Sequence, residues 1–316
     1  MQPTPLIKAH PMTPALADRL QAWLASVWGA RLLIALPYGF LLLMFCLPFL
    51  IVLKISLSET ADSGIGFLDM LRFEDGVLLA RLKISNYLFL LSDALYLRTY
   101  LSSLGYALVT TLICLGLGYP CAYFMARSPE RIRAVLLMLL MLPFWTSFLL
   151  RIYAWKGLLD SQGLVNQTLL ALGLIAQPLA ILHTPVSLLI GMVYVYLPFM
   201  VLPLYANLVK MDLRLLEAAA DLGARPWTAF WRVTVPLSRN GILAGAMLVF
   251  IPCVGEYVIP ALLGGPDTLN IGRVLWDEFF NNNDWAMASA VAIVMLVLIL
   301  APLAWFQRLN APGDRA

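Results

Sequence analysis

Few residues in this chain have both the type and the setting for chemistry. One is Glu256, a carboxylate inside "FIPCVGEYVIPALLGG", whose neighbours are apolar, aromatic, glycine or proline. On insertion scales a charged side chain near the centre of a membrane helix costs about 2.5–3.5 kcal/mol. The segment bears that if Glu256 faces a cavity, a partner or a positively charged ligand; the alternatives are an inter-subunit hydrogen bond or a protonated acid in the core. Pro252, Gly255 and Pro260 interrupt the same helix. Trp145, Tyr194 and Tyr196 lie beside Pro143 and Pro198 in neighbouring apolar stretches. Aromatic faces attract ammonium groups by about 0.5–2 kcal/mol, so these three and Glu256 are candidates for a cation pathway, although aromatics at helical spacing more often only pack. A second place is "EAAADLGARPWTAFWRVTVPL", residues 217–237, where charge gathers between two apolar runs.

Other chemistries lack their residues. The cysteines, Cys46, Cys114, Cys121 and Cys253, stand in apolar stretches without a CxxC pair and read as small core hydrophobes. The two histidines, His10 and His183, lie far apart in the chain, which disfavours a histidine metal site. No Ser/His/Asp or Cys/His arrangement recurs, so no catalytic residue is assigned. No GxxxxGK[ST] occurs, and the "LLGGPDTLNIG" glycines precede Pro and Asp, as in a turn rather than a phosphate cradle. The net charge of +3 is too small and scattered for nucleic acid.

The elements that position these residues follow from composition. Of 316 residues 61% are hydrophobic and 12% charged, with mean hydropathy +0.84, against about 25% charged in a soluble domain. A membrane span needs about 20 mainly apolar residues, and six windows qualify: 32–54, 100–125, 134–155, 185–208, 241–263 and 286–306. The first is too long for a signal-peptide core and lacks a cleavage site after it. In the third, Arg151 lies near the far end, within snorkelling reach of the interface. With the N-terminus inside, 13 basic residues fall on the inner side and 8 on the outer, out of 21 in all. Both termini and the 210–240 loop are therefore expected on the cytoplasmic side. The expected organisation is an inner segment 1–31 with an interfacial helix around Trp23 and Trp28, a first span with an outer segment over 32–99, a core over 100–306 and a tail over 307–316. The outer 55–99 stretch reads as a small ordered cap.

Within the inner loop Asp212 suits the N-cap of a helix from Leu213. Leu215, Ala218, Ala219 and Leu222 form one apolar stripe at helical spacing. Gly223 is placed to end that helix in the left-handed conformation. Pro226 can open a second short helix, and Pro236 is expected to close it. A loop whose charges are merely solvated is the bland alternative.

The spacing Glu217-Ala218-Ala219, three residues, Gly223, nine residues, Val233, one residue, Val235-Pro236 resembles the EAA signature of binding-protein-dependent ABC importers, with Val at two positions where Ile and Leu are usual. Together with "LPFWTSFLLRIYAWKGLL", "YLPFMVLPLYANL" and "FIPCVGEYVIPALLGGPDTLNIGRVLWDEFFNNNDW", the chain from about residue 32 is similar to permease subunits of polyamine ABC importers, most of all the putrescine type. The resemblance implies an all-α, six-helix type I importer fold in the bacterial inner membrane, not an enzyme in itself. It implies that Glu217, Ala218, Ala219, Gly223 and Pro236 belong to a coupling loop seated in a separate ATPase, where ATP and Mg are bound. It further implies a second homologous permease, two ATPase subunits and a periplasmic polyamine-binding protein. No cofactor is expected in this chain. Putrescine and spermidine remain undistinguished. A permease for another organic cation or ferric iron stays open, as does an ion-coupled secondary transporter, although no paired broken helices point that way.

Overall fold

A computed structural model describes residues 27–59, 71–74, 77–80 and 83–310. The chain divides into two compact units, Met1–Lys54 and Ile55–Ala316, taken in turn. The expected interfacial helix around Trp23 and the last six residues lie outside the described range.

The first unit holds most of α1 (Val27–Ser56), which starts five residues ahead of the expected span and carries Pro37 and Pro48 in its interior. Its apolar side chains are exposed from Leu33 to Leu53, a surface suited to lipid or to a partner helix and not to water.

The second unit opens with a hairpin of β1 (Leu71–Glu74) and β2 (Val77–Ala80), in which Leu71 pairs with Ala80 and Glu74 with Val77. These two four-residue strands lie within the 55–99 stretch, and the other elements among the described residues are helical. Next come α2 (Ser85–Ser92) and α3 (Ala94–Arg127). Asp93 starts α3 six residues early, its Oδ1 accepting from the Leu95 amide at 2.8 Å. The long α7 (Pro185–Leu208) begins at a capping box, Thr184 with Ser187, with Pro185 in the first turn.

The predicted third span is not one helix. It consists of α4 (Glu130–Met141), a 3-10 turn over Leu142–Trp145 and α5 (Phe148–Leu159). The portions Glu130–Trp145 and Phe148–Ala171 meet at 89°. Pro143 explains the break, since it lacks an N–H and its ring clashes with the carbonyl four residues back. A short α6 (Leu164–Ala171) follows. The 210–240 loop forms α8 (Arg214–Asp221) and α9 (Pro226–Leu237), the latter bent by 65° against α10 (Arg239–Val254). Then come α11 (Val258–Leu263), α12 (Ile271–Trp276) and α13 (Trp285–Asn310), which runs past the expected end at 306. Among the described residues four helices are long and apolar enough to cross a membrane, or up to six if each bent pair counts as one span.

The core lies where α3, α7 and α10 meet, around fully buried Ala107, Cys114, Met192, Met200, Val249 and Cys253. Glycines permit the approach of α7 and α10. A Cβ on Gly245 would stand 2.8 Å from Met200 Sδ and 3.0 Å from its carbonyl oxygen, and one on Gly241 would stand 2.8 Å from Asn207 Cβ. Small residues of this kind let membrane helices pack backbone to backbone. Gly245→Val is therefore expected to destabilise the core by about 1–3 kcal/mol, seen as a lower melting temperature of the purified protein in detergent. Gly105→Val, where nothing lies within 4 Å of the new Cβ, is the control that should leave it unchanged.

Candidate functional site

The 210–240 loop is built around one turn. Asp212 Oδ1 accepts from the Arg214 amide at 3.0 Å, so α8 starts one residue later than expected. At its far end Gly223 adopts φ +81°. The Gly223 amide donates to the Ala220 carbonyl at 2.8 Å and the Ala224 amide to the Ala219 carbonyl at 3.0 Å. That pair of bonds is a Schellman closure, and it turns the chain toward Pro226. None of the residues of α8 is buried. Leu215, Ala218 and Leu222 are exposed, Leu222 to 90%, while Ala219 is half-buried; Glu217 is exposed beside them.

Pro236 does not close α9, contrary to expectation. Phe230–Thr234 winds as a π-helix, in which the Val235 amide reaches back to the Phe230 carbonyl, and helix continues through Pro236 to Leu237. The wide turn accommodates a residue that has no amide to give. Tyr119 fastens the corner to α3. Its hydroxyl is 2.8 Å from Ser238 Oγ, and its ring meets Phe230 edge-on at 5.5 Å. Phe230 also meets Tyr123 at 5.9 Å and stacks on Trp227 at 5.9 Å.

The second site is the break between α10 and α11. The predicted fifth span is split at Gly255, Glu256 and Tyr257. Glu256 is half-buried and occupies the gap as an acceptor. Its Oε1 accepts from the Val258 amide at 3.0 Å and the Ile259 amide at 3.4 Å, and its Oε2 accepts from the Tyr196 hydroxyl. The carboxylate thus caps the first turn of α11, where helix polarity favours negative charge. Its apolar surroundings are met by neutral donors of this same chain, a solution absent from the alternatives drawn from sequence.

The candidate aromatics do not converge. Tyr196 reaches Glu256 and is buried, 6% exposed. Tyr194, two positions away on α7 and so roughly 200° around it, meets Trp155 edge-on at 5.4 Å and lines an apolar groove of about 460 Å³ with Ile113, Leu117 and Val186. Trp145, at the α4–α5 bend, is 84% exposed. The aromatic neighbours of Tyr196 are others: Phe199 at 6.1 Å, and beyond it Phe144, 5.4 Å from Phe199. Arg151 stands over Phe144 at 5.3 Å and Phe148 at 5.9 Å, so at this bend its guanidinium lies against aromatic rings.

Two further residues shape the break without having stood out in the sequence. A Cβ on Gly272 would lie 2.4 Å from the Gly255 carbonyl oxygen and 2.7 Å from that of Glu256, so only glycine fits there. Asn270 presents it, with Oδ1 accepting from the Gly272 amide at 3.0 Å; the pairing of Asn270 ahead of an apolar turn was the available cap signal. Tyr257 stacks on Trp276 at 4.2 Å with planes 12° apart.

The chain is 42% identical over 261 residues to the spermidine/putrescine transport system permease protein PotB of Salmonella typhimurium, covering 83% of this chain and 86% of that one. It is 41% identical to PotB of Escherichia coli K12, covering 83% and 90%, and 37% identical to PotB of Haemophilus influenzae, covering 89% and 93%. In fold it is similar to a bacterial ABC transporter involved in the import of the acidic polysaccharide alginate, with TM-score 0.65 and 16% identity over 94% of this chain and 100% of that one. A bacterial alginate ABC transporter in complex with an alginate pentasaccharide-bound periplasmic protein gives TM-score 0.66 and 17% identity, over 95% and 99%. Residues 115–313 match the model of the binding-protein-dependent transport system inner membrane component, and the chain belongs to that family of ABC importer permeases, inner membrane proteins that are not themselves enzymes.

Proposed function

We propose that this chain is one permease of an ATP-driven importer that carries polyamines, putrescine or spermidine, into the cytoplasm. It works with a second homologous permease, two ATPase subunits that bind ATP and Mg, and a periplasmic binding protein that delivers the substrate. The termini and the α8–α9 loop lie on the cytoplasmic side, and the bent pairs count as spans, giving six.

The observation that carries the reading is α8. A helix outside the apolar spans holds Leu215, Ala218 and Leu222 in the open on a glycine-locked turn. Exposed apolar stripes of this kind mark surfaces that dock, and the ATPase is the partner an importer permease needs. Glu217, Ala218, Ala219 and Gly223 form that plug, and Pro236 shapes the corner behind it. The polyamine assignment is supported by the relatives' substrates and by Glu256, a carboxylate near mid-span whose donors are all neutral. A passing ammonium can take the place of the Tyr196 hydroxyl on Oε2.

The test is reconstitution of the proteins that co-purify with this chain in mild detergent. Proteoliposomes loaded with ATP on the α8 side should accumulate labelled spermidine or putrescine. Uptake without ATP, or no uptake of either amine, would refute the proposal. Orientation has its own check: in intact cells a cysteine replacing exposed Asp160 should react with an impermeant thiol reagent, and one replacing exposed Arg225 should not.

A further inference from the structure

The connection from α5 to α7 carries an unusual surface. From Ser161 to Thr184 there is no Asp, Glu, Lys or Arg. Leu164, Leu170, Leu172, Leu174 and Leu179 of this stretch are exposed, three of them by about two-thirds: Leu164 65%, Leu172 68% and Leu174 67%. Connections of this sort ordinarily run through water and carry polar residues.

The leucines are not free to turn inward, because the backbone beneath them is pinned. Asn166 is fully buried, with Nδ2 donating to the carbonyls of Asp160 and Leu179 at 3.1 and 2.9 Å and Oδ1 accepting from the Leu179 amide at 2.8 Å. Gly173, at φ +67°, closes α6 through the Gly173–Leu170 and Leu174–Leu169 bonds, each 3.0 Å. This frame continues the limb that leaves α4 at 89°. Around the bend and along α5 stand exposed Trp145 and half-buried Arg151, Trp155 and Lys156, residue types that anchor membrane proteins at the headgroup level.

We infer that the 161–184 segment docks on the lipid bilayer itself, lying along the headgroup–acyl boundary with Leu164, Leu172 and Leu174 inserted. A protein partner is the poorer occupant, because a stretch with no acid or base offers no charge to steer a partner and fix its register. A limb perpendicular to a spanning portion lies in the membrane plane, where uncharged backbone turns and leucines find water on one side and acyl chains on the other.

The test is site-directed spin labelling of the complete importer in nanodiscs of phosphatidylethanolamine and phosphatidylglycerol. Cys46 and Cys121, the exposed cysteines, are first replaced by alanine, and single cysteines are placed at Leu164, Leu172 or Leu174. Leu112 on α3, itself exposed, serves as the mid-span control. Collisions with oxygen should exceed those with a soluble nickel chelate at all three sites, at an immersion of about 5–10 Å and shallower than at Leu112. A high nickel signal would place the segment in water, and low signals from both reagents would place it under another protein. Immersion equal to that of Leu112 would make it part of a span. Any of these three results overturns the inference.

Discussion

Uptake should stop in Gly223→Asp while the protein still inserts and pairs with its partners. No side chain crowds Gly223, since nothing lies within 4 Å of the Cβ position. The penalty is conformational: a left-handed φ of +81° costs an ordinary residue about 1–2 kcal/mol. Asp tolerates that region better than most residues, so its added charge at the docking turn does the remaining harm. A strain of one to two kcal/mol alone shifts a two-state population by about 5–30-fold, which misaligns α8 against any groove it enters. Gly223→Asn separates the two causes. Asn accepts the same backbone without charge, and its uptake should fall less. The readouts are ATP-dependent uptake and co-purification of the ATPase subunits. Full transport by Gly223→Asp would remove α8 from the coupling route.

Glu256→Gln should reduce polyamine uptake by about tenfold or more, the effect of losing about 1.4 kcal/mol from the crossing step. The amide keeps an oxygen to cap Val258 and Ile259, and Tyr196 can turn to accept from its nitrogen, so folding and assembly should hold. What disappears is the negative charge that an ammonium requires. Glu256→Asp keeps the charge but is one methylene shorter, and it cannot span from the α11 amides to the Tyr196 hydroxyl. Its thermal stability should therefore fall more than that of Gln. Tyr196→Phe isolates the hydroxyl: hydrogen bonds to charged groups contribute about 1.5–3 kcal/mol, and their loss should lower stability. If Glu256→Gln transports at the unmodified rate, the carboxylate is a helix cap and no more.

How much of this was legible in the sequence depended on contrast. The 210–240 loop stands out because polar and apolar residues alternate there, so the phase of α8, the Gly223 turn and the Pro226 start could be read directly. Within the spans that contrast vanishes. When nearly every position of α7 is apolar, sequence does not show which face turns inward, so Tyr194 and Tyr196 looked alike although one lines a lipid-sized groove and the other meets Glu256. The third window reads as continuous because Pro143 sits among apolar residues, and proline is tolerated inside many membrane helices. Pro37, Pro48, Pro120 and Pro302 all lie within helices here. The π-helix ahead of Pro236 depends on backbone geometry that no residue type announces. Glu256 stands out in the sequence for its apolar setting, yet its donors are backbone amides and a tyrosine from another helix, and only the fold brings those to it.

The close approach of α7 and α10 at Gly241 and Gly245 has a mechanical consequence. Where backbones touch without intervening side chains, there is little slack to absorb displacement, so the α3–α7–α10 trio has low compliance and moves as one block. The Tyr119–Ser238 bond and the Phe230 contacts fasten the α8–α9 corner to that block. A force applied at α8 is therefore expected to pass through that corner into the trio rather than be absorbed between them. Deformation is then expected to collect at two breaks in the helices, the Gly255–Tyr257 gap that holds Glu256 and the Pro143 elbow.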